Sequence, residues 1–133
     1  MIAATADQST GIFWHASNDG ITGATGTALG TGSANTIAII ALYETESNAA
    51  KLCDDYTNNE TGTGVYSDWF LPSKDELNKL YLNRAAISVF AEGDYRSSSE
   101  ISATQAWYQS FENGDQSQGN KSFGANVRAV RAF

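Results

Sequence analysis

Hydrophobic and polar positions change their spacing along the 133 residues, and the changes mark out elements. Gly11–Ala16 (GIFWHA) packs aromatic and β-branched residues between turn formers and predicts a strand. The Gly- and Thr-rich residues Asn18–Gly32 predict a loop, and no Lys follows the glycines as a phosphate loop requires. Ala34–Tyr43 is apolar nearly throughout, so its period alone does not separate helix from buried strand; a helix is the reading adopted. In Ser47–Tyr56, the residues Ala49, Leu52, Cys53 and Tyr56 recur at helical spacing and define one face. Asn58–Gly64 (NNETGTG) breaks that helix.

The next helix carries its own start signal. In "YSDWFLPSKDELNKLY", Ser73 and Glu76 form the S-x-x-E capping box. Asp75 and Glu76 in the first turn suit the helix dipole, and Leu77, Leu80 and Tyr81 mark the buried face. Beyond Gly93 the pattern turns to β. Tyr95–Ile101, Gln105–Phe111 and Asn126–Phe133 predict strands with polar connections. Alternation sets Trp107, Gln109 and Phe111 on one face and Tyr108 and Ser110 on the other. The last strand is apolar on both faces (Val127, Ala129 and Phe133; Val130 and Ala132), which predicts a central position. Its Arg128 and Arg131 lie on opposite faces and need acidic or carbonyl partners, with Glu100, Asp68 and Glu76 as candidates. The expected core is Trp69, Phe70, Leu77, Leu80, Trp107, Phe111, Val127 and Val130. The order predicts one α+β domain over residues 1–133. The two helices with a defined apolar face pack on small antiparallel sheets, and the first strand pairs with the last so that the termini are close.

Composition narrows the function. One cysteine rules out an intrachain disulfide and any two-cysteine zinc or redox motif, and Cys53 reads as a buried structural thiol. The net charge of −7 excludes a basic footprint for nucleic acid or an acidic membrane. No apolar run is long enough to span a membrane, and no signal peptide is visible. The abrupt strand-like start (MIAATADQSTGIFW) predicts a domain taken from a longer protein, with Met1 an added start residue.

Enzyme motifs are missing. There is no Ser-His-Asp spacing, no HExxH and no Cys–His pair, and the single histidine, His15, reads as structural. Asp54/Asp55 and Asp75/Glu76 are adjacent on helices, so their carboxylates point apart and read as solvated faces. No catalysis is expected. Asp54, Asp55, Asn58, Asn59 and Glu60 form an oxygen-rich cluster that is a candidate calcium site, although its spacing matches no EF-hand loop; no other cofactor is expected.

Four stretches carry a resemblance: "YSDWFLPSKDELNKLY", "YRSSSE", "AWYQSF" and "KSFGANVRAVRAF". Together they resemble the C-terminal domain family of collagen-like adhesins, the Lcl C-terminal domain, over nearly the whole chain. That family lies in the wider C-type-lectin-fold group with formylglycine-generating-enzyme-like and major-tropism-determinant-like domains. The resemblance implies a C-type-lectin-like fold and a ligand-binding domain at a bacterial or virion surface, as in an adhesin or phage tail fibre. It also implies likeness to variable proteins of diversity-generating retroelements. In those proteins a framework, here Ala106, Trp107, Gln109, Phe111, Gly114 and Lys121, carries changeable residues. The implied ligand-binding positions are Arg96, Ile101, Ala103, Tyr108, Ser110, Glu112, Asp115, Ser117, Phe123, Gly124 and Ala125. Tyr108, Phe123 and Arg96 are the expected anchors. The family usually has Trp at the position of Arg96, so Arg96 is expected to be a varied, exposed binding residue. The implied partner is a cell-surface protein or glycan, with a trimer as one assembly and the apolar Ala34–Tyr43 as one contact. The alternative is a fixed-specificity carbohydrate-binding domain, with or without calcium. The sulfated polysaccharides bound by the collagen-like adhesin do not carry over to an acidic chain.

Overall fold

The computed structural model describes residues 1–17, 20–57, 65–87 and 90–132. Its elements run β1 (Ile2–Ala3), β2 (Ser9–Phe13), α1 (Gly32–Leu42), α2 (Ala49–Asp54), α3 (Lys74–Leu82), α4 (Arg84–Ile87), β3 (Asp94–Glu100), β4 (Gln105–Ser110), β5 (Gln116–Asn120), β6 (Gly124–Val127) and β7 (Val130–Arg131). The fold is α+β. A five-stranded sheet has the order β2-β6-β3-β4-β5, and a two-stranded sheet joins β1 to β7. All neighbours are antiparallel except β3 and β6, so the large sheet is mixed rather than wholly antiparallel. Ile2 pairs with Arg131 and Ala3 with Val130, which brings the ends of the chain together as expected.

The helices follow their local signals. Asn48 caps α2 by accepting from Lys51 N–H. Ser73 and Glu76 form the capping box of α3. The Glu76 carboxylate does more than that. Besides the Ser73 N–H at 2.8 Å, it accepts from Gly30 N–H at 3.0 Å and from Gly32 N–H at 3.1 Å. One buried anion therefore serves the amino ends of two helices, where the macrodipole favours negative charge. This is how α1 starts although Thr31, at its cap position, makes no side-chain cap bond. A Cβ at Gly32 would lie 2.2 Å from Glu76 Oε1, so only glycine fits there.

The predicted final strand divides. Residues 124–127 join the large sheet between β2 and β3, and residues 130–131 turn to β1. Phe133 lies outside the described residues, as does the NNETGTG break. The arginines find partners, though not all the expected ones. Arg131 makes a bidentate pair with Asp68 at 2.8 and 3.1 Å. Buried Arg128 takes Asp7 at 2.7 Å and the Ala4 carbonyl at 2.9 Å. Glu100 turns instead to Lys121.

Two apolar clusters fill the interior. One gathers Trp14, Ile39, Ala49, Cys53, Trp69, Leu71 and Val127, and the other gathers Phe70, Leu77, Leu80, Tyr95, Phe111 and Val130. Trp107 departs from the expected core: it is half-buried beside the start of α3, with the Lys74 ammonium 4.4 Å from its ring centre. Among the described residues no helix is long and apolar enough to cross a membrane.

Replacing Glu76 with Ala strands three N–H groups at once. The expected loss is at least about 2 kcal/mol, since one unsatisfied buried donor costs about 1–3 kcal/mol. Urea denaturation checks this: the midpoint should fall with the slope unchanged.

Candidate functional site

The site begins with an unusual strand. β3 reads DYRSSSE, and Arg96, Ser97, Ser98, Ser99 and Glu100 are all buried. Buried polar groups must be paired, and these pair mostly with segments that have little regular structure of their own. Ser97 Oγ donates to the Trp107 carbonyl, and Trp14 Nε1–H donates to the Ser97 carbonyl. Ser98 Oγ accepts from Asn35 on α1. Ser99 Oγ donates to the Gly26 carbonyl at 2.7 Å and accepts from Lys74 N–H at 2.9 Å. Glu100 N–H donates to the Ala24 carbonyl. The row of hydroxyls thus holds residues 22–26 and the start of α3 against the sheet.

Glu100 ends the row. Its carboxylate accepts from Thr22 N–H at 2.9 Å, from Thr22 Oγ1 at 2.8 Å and from Lys121 Nζ at 2.8 Å. Lys121 is fully buried, donates also to the Gly20 carbonyl, and lies 4.6 Å from the Trp14 ring centre. Burial alone would push the Glu100 carboxyl up. The hydrogen bonds from Lys121 and Thr22 outweigh it and hold the group below its ordinary value.

Arg96 corrects the expectation of an exposed binding residue, because its relative exposure is 0%. The guanidinium stacks 3.8 Å from the Phe123 ring centre, and Nη2 donates to the Phe123 carbonyl at 2.7 Å. Tyr108, its cross-strand neighbour, meets Phe123 edge-to-face at 5.2 Å. Nε and Nη1 of Arg96 meet no hydrogen-bond partner among the described residues. Burial brings its acidity to about 10, well below the usual guanidinium range. The two rings are seated by Gly119, where a Cβ would lie 2.3 Å from the Phe123 ring and 2.9 Å from the Tyr108 ring. Tyr108 and Phe123 are half-buried, so this is a fixed aromatic pair over a buried cation, presenting only its outer edges.

The remaining predicted positions scatter around the pair. Ser110 and Ser117 are half-buried on β4 and β5, and Ser117 lies opposite Tyr108. Ile101 and Ala103, half-buried, sit in the β3–β4 connection. Glu112 and Asp115 are exposed in the β4–β5 turn at the other end of the hairpin. A six-residue strand separates those ends by about 20 Å. Gly124 is exposed at the start of β6 opposite Phe13, but Ala125 is buried opposite Ile12 and cannot meet a ligand. The structure therefore brings together Arg96, Tyr108, Ser117 and Phe123, with Ser110 further along β4, and leaves the two turns apart. Trp107 was expected in the core, and Lys74 was not singled out. Their proximity follows from the placement of α3, which the strand period does not carry.

Of the expected calcium ligands, Asp54 and Asp55 are exposed at the end of α2, and Asp55 pairs with Lys51 at 3.1 Å. Asn58, Asn59 and Glu60 lie outside the described residues. His15 is buried, stacked on Tyr43 with ring centres 3.6 Å apart and bound to Glu46. Cys53 is fully buried, and burial pushes its thiol far up.

A family model described as the Lcl C-terminal domain matches residues 3–131, so the chain belongs to that family. No curated protein matches the chain.

Two outcomes follow from the geometry. Lys121→Ala leaves the Glu100 carboxylate buried and unpaired, and should cost about 3–5 kcal/mol in chemical denaturation. Because the Glu100 carboxyl is depressed in the folded state, its contribution is complete above the unfolded value of about 4.3 and fades as pH falls below it. Stability against pH should drop there, and less steeply in the Lys121 variant. Gly119→Ala drives a methyl group into the aromatic pair and should cost about 1–3 kcal/mol, with the Tyr108 and Phe123 ring signals shifted in NMR spectra.

Proposed function

We propose that this Lcl C-terminal domain is a non-catalytic recognition module with a C-type-lectin-like fold. It serves a bacterial surface or phage tail protein outside the cell, and it binds a cell-surface protein or glycan. The carrying observation is the division of labour along the β3–β5 hairpins. Backbone and framework are fixed from below by the buried polar strand. The outward positions Ser110, Glu112, Asp115 and Ser117 carry side chains of unrelated chemistry, and the fixed edges of Tyr108 and Phe123 lie beside Ser117. Rigid aromatics give contact area at low entropic cost, and small polar residues around them supply adaptable hydrogen bonds. Diversification of those outward positions by a retroelement fits this arrangement, since surface changes usually stay within about 0.5 kcal/mol.

The pairing of β1 with β7, with helices held against a mixed sheet, supports the lectin-like fold reading. The non-catalytic reading is supported by the two usual reactive side chains: Cys53 is sealed in the core, and His15 is committed to Tyr43 and Glu46.

The reading is tested by replacing Ser110, Glu112 and Asp115 together with Lys and staining a panel of intact bacterial strains with labelled protein. The parent should stain a subset of strains. The variant should lose or change that subset while its melting temperature stays close to the parent's. Unchanged staining, or a variant that no longer folds, would contradict the assignment of these positions to the binding face.

A further inference from the structure

The two edges of the five-stranded sheet are built differently. An open edge strand offers unpaired N–H and C=O groups to any other strand, and folded proteins blunt such edges with bulges, charges or proline. β2, at one edge, is blunted: its ladder to β6 shifts register between Ser9 and Ile12. β5, at the other edge, is not. It pairs with β4 without a break over five consecutive positions, and its sequence QSQGN has no charge and no proline.

The ladder fixes which groups face outward. Ser110 N–H donates to the Asp115 carbonyl and Lys121 N–H to the Thr104 carbonyl, each at 2.9 Å. Antiparallel pairs alternate, so 115, 117, 119 and 121 bond inward, and Gln116, Gln118 and Asn120 direct their backbone groups to the free edge. The Asn120 carbonyl is already taken, by Arg96 Nη2 and by Phe123 N–H. Among the described residues the groups left open are therefore the N–H and carbonyl of Gln116 and of Gln118, and the N–H of Asn120.

We propose that β5 pairs antiparallel with β5 of a second copy of this chain, about a two-fold axis at Ser117. In that register Gln116 of each copy faces Gln118 of the other, and the N–H and carbonyl of both residues are matched in each copy. A register centred on Gln118 would instead need the occupied Asn120 carbonyl. Charge favours the same choice. Each copy carries −7, so a self-contact must use an uncharged stretch, and here the nearest carboxylate, Asp115, faces Gly119 of the second copy rather than another acid. A contact of one strand pair is smaller than a standard interface, so the dimer forms at high concentration and strengthens as salt screens the two acidic chains.

Sedimentation equilibrium from about 10 μM to about 1 mM tests the pairing. The parent mass should climb from one chain toward two, further in high salt. Ser117→Lys and Ser117→Asp each place like charges across the axis and should stay monomeric, while their equimolar mixture should dimerise again. Gln118→Pro removes an outward N–H and leaves the inward ladder intact, so it should be folded by circular dichroism and monomeric. A parent that stays monomeric throughout, as it would if the edge served only a strand of another protein, overturns the proposal. So does a dimer indifferent to both Ser117→Lys and Gln118→Pro.

Discussion

The structure depends on a strand that has polar side chains where a core would ordinarily have apolar ones. From Arg96 to Glu100, β3 is buried at the middle of the sheet, and its side chains bond to segments that could not hold themselves. The segment around residues 22–26 has no helix or strand, yet its backbone meets Ser99 and Glu100 at fixed points. In a low-dielectric interior each such bond is strong, and each unmet one is costly. The arrangement is therefore intolerant at β3 and permissive at positions that only rest on it.

That asymmetry links the fold to recognition. The Glu100–Lys121 pair ties the end of β3 to the residue following β5, while Arg96 supports the Phe123 ring and, through it, Tyr108. Glu76 does the equivalent on the helical side by joining the starts of α1 and α3. Side chains at the hairpin surface inherit positions set by these buried charges and need not stabilise the fold themselves.

Local signals in the sequence carried the helices well. The capping box of α3 and the apolar face of α2 were legible because both are set within a few residues. β3 and β4 were legible to within a residue at each end. β5 was not, because QSQGN has no β-branched or aromatic residue, and it is a strand only through its pairing with β4. The split of the final strand was hidden because its first part pairs with β2 and β3 and its second with β1, all distant in the chain, so no local pattern marks the break. Arg96 was misplaced for a related reason. The resemblance, with Trp usual at that position, pointed to a varied surface residue, whereas here Phe123, 27 residues away, covers the guanidinium. Trp107 shares the period of Gln109 and Phe111, but only those two lie fully under cover.

The central claim is that buried polar residues hold a frame on which outward positions are free to change. Deep sequencing of this locus in its source population, read codon by codon from Tyr95 to Phe133, tests it most directly. The account predicts changes concentrated at Ser110, Glu112, Asp115 and Ser117, with Arg96 to Glu100, Gly119 and Lys121 held constant. A locus that is uniform throughout, or one whose changes fall on the buried strand, would contradict it.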